Sequence, residues 1–214
     1  MKGEYTADEF KFKGDLNGIT LKMLEEHFKL YSGYIKKANE IQEKIALADK
    51  AEANAAYSYI GELKRQETFS VNGIKLHEAY FAGLASDSSD GGVVSKEPGS
   101  ELSKMIETDF GKMENWREDI VATGISARGW AVLAFDFRDN KLHNYGADAH
   151  NAGSVWGALP LVALDVYEHA YFLDYGVNRK DYIASFFKNL DWDFANKTVH
   201  RFDLAKWHTK GAEK

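Results

Sequence analysis

Cysteine is absent from the 214 residues, which excludes a disulfide framework, a thiolate nucleophile, a cysteine-based zinc site and an iron–sulfur cluster. No stretch approaches the roughly 18 consecutive apolar residues that cross a bilayer, so we expect no membrane protein. The opening residues contain no apolar signal-peptide region, which favours the cytoplasm. The chain also has no excess of positive charge: its net charge of -6 argues against a large phosphate-tracking surface and therefore against a nucleic-acid partner.

What the chain does contain is typical of a folded protein. Hydrophobic residues make up 44% and charged residues 28%, which is the ordinary range for a globular chain. At this length the chain can bury a proper core without covalent crosslinks.

The first half of the sequence has the periodicity of helices. Thr20 can cap a helix whose apolar face follows the three-and-four spacing of one side. That face comprises Leu24, His27, Leu30, Tyr31, Tyr34, Ile35, Ala38, Ile41 and Ile45. A second helical run over residues 51–67 should fold back after a turn near residues 48–52, and a third helix should carry residues 74–84. The segment of the sequence most typical of a linker is the cluster of Ser, Asp and Gly over residues 86–100.

In the second half of the sequence, the spacing of apolar residues changes from that of helices to that of strands. One or two amphipathic helices precede a segment rich in apolar and β-branched residues, GWAVLAFDF, with a polar hairpin turn over residues 138–141. The apolar run LPLVALD predicts a strand covered on both faces, and helices return from Arg179 onward. The pattern predicts an α+β fold with two domains: an antiparallel helical hairpin over residues 1–92, then an α/β domain over residues 93–214 with a small three-stranded antiparallel sheet.

Three of the seven histidines stand in apolar surroundings. His27 and His77 lie on apolar helix faces, where an imidazole without a partner costs free energy. Asp165 ends the apolar strand, and His169 follows four residues later. Three imidazoles and one carboxylate suit a first-row transition metal better than magnesium or calcium, which prefer oxygen. A set of buried, hydrogen-bonded histidines without metal is the alternative.

Several segments resemble the iron/manganese superoxide dismutases. Residues 165–175, DVYEHAYFLDY, are similar to that family's signature Asp-x-Trp-Glu-His-Ala-Tyr. The similarity extends to ARGWAVLAFD, LPLVALD, NRKDY and NLDWD, and to the two histidine-bearing segments HFKLYSGYIKKANE and NGIKLHEAYF. It covers most of the chain.

The resemblance implies a ligand set and a reaction. His27, His77, Asp165 and His169 would hold one iron or manganese ion per subunit. The family converts two superoxide ions into dioxygen and hydrogen peroxide, while the metal alternates between its trivalent and divalent states. The resemblance leaves open which of the two metals is bound.

The same resemblance implies roles for residues around the metal. Tyr34 would relay protons at the mouth of the substrate channel, Trp130 would keep the site dry, and Arg179 would attract the anionic substrate. Glu168 would reach the final histidine of a second subunit. A homodimer or a homotetramer is therefore expected.

The chain departs from the common family pattern at several positions. The glutamine that most members place beside the bound solvent is replaced: Gly73 occupies one of its two positions and His150 the other. We therefore expect His150 to hydrogen-bond the metal-bound solvent and Tyr34. The signature tryptophan is Tyr167, and a tyrosine that usually crosses the subunit interface is Phe172.

A further departure lies in the first helix. The histidine that pairs with that interface tyrosine in the family is missing, because the first helix offers Leu30 and Tyr31 instead. His27 and Tyr34 are seven residues apart rather than the family's eight, which indicates that a π-type bulge has been removed.

Two other function classes remain open at this stage. A relative could keep the fold as a binding or structural module, although no ligand position has been lost. A mononuclear iron oxygenase usually has two histidines and one carboxylate with more open positions.

Overall fold

The N-terminal half of the computed structural model, which describes residues 3–85 and 94–211, is a hairpin of two long helices. Helix α1 spans Leu21–Leu47 and begins where predicted, because the Thr20 side chain accepts a hydrogen bond from the Met23 amide. It is α-helical throughout, as the seven-residue spacing predicted. One residue of its predicted apolar face, Leu30, is instead exposed.

The second helix differs from the prediction. Helix α2 spans Tyr59–Ala82 as one element, whereas the sequence pattern predicted two separate helices and a turn confined to residues 48–52. The connection is longer because Ser58 caps α2, accepting a hydrogen bond from the Gly61 amide. Gly73 does not interrupt the helix, and it is buried against the rings of Tyr34 and His150.

Helices α3 (Ser100–Phe110) and α4 (Met113–Ser126) follow, separated at Gly111, whose φ of 84° is the left-handed conformation that glycine tolerates. Three strands then form one antiparallel sheet in the order β2-β1-β3. They span Trp130–Asp136 (β1), Lys141–Ala147 (β2) and Ala158–Asp165 (β3). The predicted three-stranded sheet is confirmed, and the hairpin turn lies where the sequence placed it.

After β3 the chain remains helical. A single 3-10 turn, Glu168–Ala170, leads into the short helix α5 (Phe172–Tyr175) and then α6 (Arg179–Lys188). The last predicted helix is two helices, α7 (Asp193–Arg201) and α8 (Leu204–Gly211), because Asp203 adopts a φ of 54° between them. Within the described ranges no helix is long and apolar enough to cross a bilayer.

One hydrophobic core joins α1 and α2 to the sheet. Strand β1 is buried along its whole length, and α2 packs against β3. In the sheet register Trp130 pairs with Asp165, so the start of β1 and the end of β3 lie side by side beneath the helical hairpin. The predicted domain boundary at residues 92 and 93 lies outside the described residues, and most of the predicted linker does too.

Candidate metal centre

Four side chains from distant parts of the sequence converge beneath the helical hairpin. His27 comes from α1, His77 from α2, Asp165 from the end of β3 and His169 from the 3-10 turn. One nitrogen or oxygen of each lies within 4.8 Å of those of the other three, and such a group could hold a metal ion. These are the four residues predicted as ligands.

A single carboxylate oxygen is the centre of this cluster. Oδ2 of Asp165 lies 3.1 Å from Nε2 of His27, 3.3 Å from Nε2 of His169 and 3.6 Å from Nε2 of His77. The other oxygen, Oδ1, accepts a hydrogen bond from the Tyr167 amide at 2.9 Å, which fixes the carboxylate orientation. Asp165 has no exposed surface, so its charge must be compensated within the cluster.

The protonation of His77 shows that the cluster fits a cation. Its Nδ1 lies 2.6 Å from the Gly73 carbonyl oxygen and must carry the ring proton to donate to it. Nε2 is therefore an unprotonated lone pair, buried without a hydrogen-bond partner among the described residues. It faces the Asp165 carboxylate at 3.6 Å. Two electron-rich atoms at this distance are stable together when a cation lies between them.

Burial keeps the imidazoles of His27 and His77 neutral. It lowers the pKa of His27, and together with the neighbouring His27 it lowers the pKa of His77 to about 3. For Asp165, burial acts to raise the pKa of the carboxyl, but the His169 and His27 imidazoles hold it well below its usual range. At neutral pH His27 and His77 are thus neutral and Asp165 is anionic, which is the protonation state that metal binding requires of these residues.

His150 lies beside the cluster and has a defined tautomer. The indole nitrogen of Trp130 donates a 2.9 Å hydrogen bond to Nδ1 of His150, so the proton of the neutral ring resides on Nε2. Burial lowers the pKa of His150 to about 4, which keeps the ring neutral. Nε2 is buried and has no protein hydrogen-bond partner within the described ranges. His150 is therefore a hydrogen-bond donor available to the site.

Tyr34 and Gly73 pack against His150. The Tyr34 ring meets the His150 ring edge to face at 4.8 Å between centroids, and the described residues show no hydrogen bond between the two side chains. A Cβ on Gly73 would lie 3.2 Å from Cγ of Tyr34 and 3.3 Å from Cδ2 of His150. Glycine at position 73 therefore makes room for both rings. Burial, followed by the Asp165 charge, raises the pKa of Tyr34 to about 12, so its hydroxyl keeps its proton at neutral pH.

Tyr167 occupies the position of the family's usual tryptophan. Its ring stacks on His169 at 5.1 Å and also contacts His150 at 5.1 Å. The Tyr167 ring, smaller than that of tryptophan, thus covers the candidate ligand His169 and contacts His150.

Arg179 is held by the end of α4. Its Nη1 donates to the Ala127 carbonyl at 2.6 Å, and its guanidinium lies over the Tyr171 ring at 5.7 Å. A cation at a helix C-terminus is favourable, so part of the role of Arg179 is to stabilise this region.

Phe69 is a neighbour of the site that sequence reasoning missed. Its ring lies 4.5 Å from the His150 ring and 5.9 Å from that of Tyr34. Phe69, Gly73 and His77 follow at intervals of four on α2, so helical spacing could have identified it.

Glu168 and Phe172 face outward from the single chain. Within the described part of the chain the Glu168 carboxylate makes no hydrogen bond or ion pair, and Phe172 is 52% exposed. Leu30, predicted to replace the interface histidine, is also exposed, whereas Tyr31 beside it is buried and donates a hydrogen bond to Glu78. The side chain of the candidate ligand His169 retains 25% of its exposure.

Comparison with known proteins gives consistent matches over most of the chain. The profile of the iron/manganese superoxide dismutases, C-terminal domain, matches residues 98–198. The superoxide dismutase [Fe] of Aquifex aeolicus is 44% identical over 195 residues, which cover 89% of this chain and 87% of that protein. The corresponding protein of Aquifex pyrophilus is 42% identical over the same shares. The superoxide dismutase [Mn] 1 of Halobacterium salinarum is 35% identical over 179 residues, which cover 84% of each chain.

These relatives include proteins named for iron and proteins named for manganese, as expected for one donor set that suits both metals. With such identity over more than four fifths of its length, and with the four predicted ligands in one cluster, the chain belongs to the iron/manganese superoxide dismutase family.

Proposed function

We propose that this protein is a superoxide dismutase, which converts two superoxide ions and two protons into dioxygen and hydrogen peroxide. The observation that carries this proposal is the buried cluster of His27, His77, Asp165 and His169, whose protonation leaves a lone pair facing a carboxylate. The names of the relatives support the same activity. A structural module without metal would leave this arrangement without a physical reason.

The four cluster residues would hold one iron or manganese ion per subunit. When bound, the metal supplies a redox couple that takes an electron from one superoxide ion and returns it to another. Three neutral imidazoles and one carboxylate contribute a single negative charge, which stabilises a trivalent ion in a buried site. Three histidines and one aspartate differ from the two histidines and one carboxylate of a mononuclear iron oxygenase. The third imidazole would take one of the metal positions that stay open in the oxygenases.

The side chains around the cluster would donate protons to the site and exclude water from it. Tyr34 keeps its hydroxyl proton at neutral pH and can donate it at the site mouth. His150 offers an N–H from Nε2, and Trp130 holds that tautomer while filling the space that water would otherwise enter. Arg179 would add positive charge that attracts an anionic substrate, although its hydrogen bonds to α4 also give it a structural role.

The activity is tested by loading the metal-free protein separately with iron and with manganese. We expect one ion per chain and rapid superoxide consumption, with one hydrogen peroxide formed for every two superoxide ions. A protein that binds metal at these residues without consuming superoxide would contradict the proposed function. A protein that binds no metal would support the structural module instead.

We also propose that the chain forms at least a dimer, in which Glu168 accepts a hydrogen bond from His169 of the partner subunit. The exposed Glu168 carboxylate, the partly exposed His169 and the exposed Phe172 support this surface as an interface. The choice between dimer and tetramer, the domain division at residues 92 and 93 and a cytoplasmic location stay predictions.

Replacing Glu168 with alanine is expected to weaken both the dimer and metal binding. Loss of the carboxylate would leave the imidazole of the partner's His169 without its acceptor, and such loss around a metal ligand typically lowers metal affinity about 10–100-fold. Sedimentation velocity and metal analysis of the same sample measure both effects. Glu101→Ala, at an exposed glutamate on α3, is the control and should change neither. Unchanged sedimentation and metal content in Glu168→Ala would disprove the bridge.

A further inference from the structure

An apolar cavity lies between α2, the sheet and α7, and its volume is about 540 Å³. It is separate from the metal cluster, since none of the four cluster residues lines it. Pockets of roughly 300–1,000 Å³ are typical of sites for small organic ligands, whereas a close-packed protein interior contains few voids. The side chains that line this cavity therefore decide which ligand it suits.

Small side chains on one face of the sheet create the cavity. Alternate residues of a strand share a face, and the two residues of β1 that line the cavity, Val132 and Ala134, are two positions apart. Ala147 of β2 and Ala158 of β3 continue the same face. An alanine side chain is a single methyl group, so these three alanines leave the space between the sheet and the two helices unfilled.

The other walls of the cavity are also largely apolar. Helix α2 contributes the buried side chains of Leu76 and Ala79, and α7 contributes Phe194. Leu159 of β3 and Phe202, the residue after α7, add further apolar surface. Walls of this kind bind an apolar group because both surfaces leave water, and they disfavour a ligand that is polar throughout.

Two cationic side chains lie at the open side of the cavity. Lys75 and Arg201 line it and are exposed, and neither forms an ion pair with another described residue. The guanidinium of Arg201 lies over the Phe202 ring at 5.4 Å, which places it beside the apolar wall. Glu78 is the acidic residue among the described lining residues, and it accepts a hydrogen bond from the Tyr31 hydroxyl at 3.2 Å. Two positive charges and one negative charge complement a ligand with a single negative charge.

We propose that this cavity binds a small carboxylate with an apolar body, such as a medium-chain fatty acid. The alkyl chain lies against the apolar walls, and the carboxylate pairs with Arg201 and Lys75 at the open side. Arginine suits this role because its planar guanidinium can bind a carboxylate through two parallel hydrogen bonds. An inorganic anion would leave the apolar walls without a partner, and a cationic amphiphile would meet two like charges. Binding at this site does not depend on the metal.

Titration calorimetry of the metal-loaded protein with hexanoate, octanoate and decanoate tests the proposal. We expect one site per chain, with an affinity that rises about fourfold for each added CH₂ group, because each buried CH₂ adds hydrophobic free energy. Decyltrimethylammonium has the same alkyl chain as decanoate's apolar part but a positive head, and it should bind at least about 10-fold more weakly. Equal binding of the two heads, or an affinity that does not change with chain length, would overturn the proposal.

Arg201→Gln should weaken decanoate binding at least about 10-fold, because a hydrogen bond between two charged groups is lost. Arg117→Gln is the matched control. The guanidinium of Arg117 also lies over a phenylalanine ring, that of Phe187 at 5.0 Å, but Arg117 does not line the cavity. This control should bind decanoate like the natural protein. Metal content should stay unchanged in both variants, which separates this test from that of the proposed function.

Ala158→Phe places a ring in the cavity and should lower the affinity for decanoate more than that for hexanoate, since the longer chain needs the space that the ring occupies. Photocrosslinking of the natural protein covers the case in which a variant fails to fold. Decanoate with a diazirine at the end of its chain should crosslink to α2, β3 or α7, and excess decanoate should prevent this. The proposal is wrong if the crosslinks lie only in other segments, or if folded Arg201→Gln and Ala158→Phe bind decanoate like the natural protein.

Discussion

Replacing Asp165 with asparagine is expected to lower metal affinity at least about 100-fold, since even residues that only support metal ligands typically contribute about 10–100-fold. The substitution keeps the shape of the side chain but removes the only negative charge of the cluster. His27 and His77 are held neutral by burial and cannot compensate a trivalent ion. Superoxide-consuming activity should fall with metal content.

Thermal unfolding separates this effect from a loss of folding. A ligand that binds only the native state raises the melting temperature with its concentration, so iron or manganese should stabilise the natural protein. Asp165→Asn should lose this metal-dependent increase. Its metal-free form should unfold at the same temperature as the natural metal-free protein or lower, because the His169 and His27 imidazoles that lower the pKa of Asp165 also stabilise its carboxylate in the folded state.

Asp136→Asn is the control for this experiment. Asp136 is also a buried carboxylate in the sheet, where it accepts a 2.6 Å hydrogen bond from the Tyr145 hydroxyl, but it lies outside the metal cluster. It should keep full metal binding. If Asp165→Asn retained the metal-dependent stabilisation, Asp165 would not be a ligand.

Removing the imidazole of His150 is expected to impair turnover more than metal content. His150→Ala deletes the N–H that Nε2 offers to the site and leaves the buried indole N–H of Trp130 without its acceptor. The second loss should lower the free energy of unfolding by about 1–3 kcal/mol. Activity should fall about 10–100-fold with either metal, as for other residues that support a metal centre.

His150→Gln separates the two roles of this residue. A glutamine can accept from Trp130 through its oxygen and donate to the site through its amide nitrogen, so fold and metal content should be retained. The substitution replaces the imidazole N–H that His150 offers to the site with an amide N–H, which changes a hydrogen bond around the metal, and we therefore expect the ratio of iron- to manganese-supported activity to change. Activity with each metal, normalised to metal content, measures this ratio. Full activity of His150→Ala with either metal would refute the role.

Trp130→Phe is the matched control for stability. It removes the indole donor while keeping an aromatic ring, so the combination with His150→Ala should be less destabilising than the sum of the two changes. Strict additivity would mean that the Trp130–His150 hydrogen bond contributes nothing measurable.

Features that depend on neighbours along the chain could be predicted from the sequence. The start of α1 follows from Thr20 and from the spacing of apolar residues, which are local properties. The four residues of the metal cluster were identified because each lies in a recognisable segment, and the structure brings all four together. The antiparallel sheet followed from the strand pattern and the polar turn between β1 and β2.

Features that depend on distant neighbours could not be predicted. The pattern predicted two separate helices over residues 51–67 and 74–84, where the structure has the single helix α2 even though a glycine inside a helix usually costs about 1 kcal/mol. In the structure Gly73 is the contact point for Tyr34 and His150, so packing outweighs propensity. Arg179 was predicted as a substrate-attracting cation, and only the fold shows that it also binds the carbonyl groups at the end of α4.

The sequence by itself determined which atoms this protein offers to a metal, because residue type sets donor chemistry and local motifs mark the donors. The Gly73 carbonyl, four residues earlier on α2, places the proton of His77 on Nδ1. Only the tertiary structure decided the protonation of His150, because the Trp130 indole from β1 places its proton on Nε2. A tautomer is set by whichever group approaches the ring, and Trp130 approaches His150 through the packing of one core although the two residues lie 20 positions apart in the sequence.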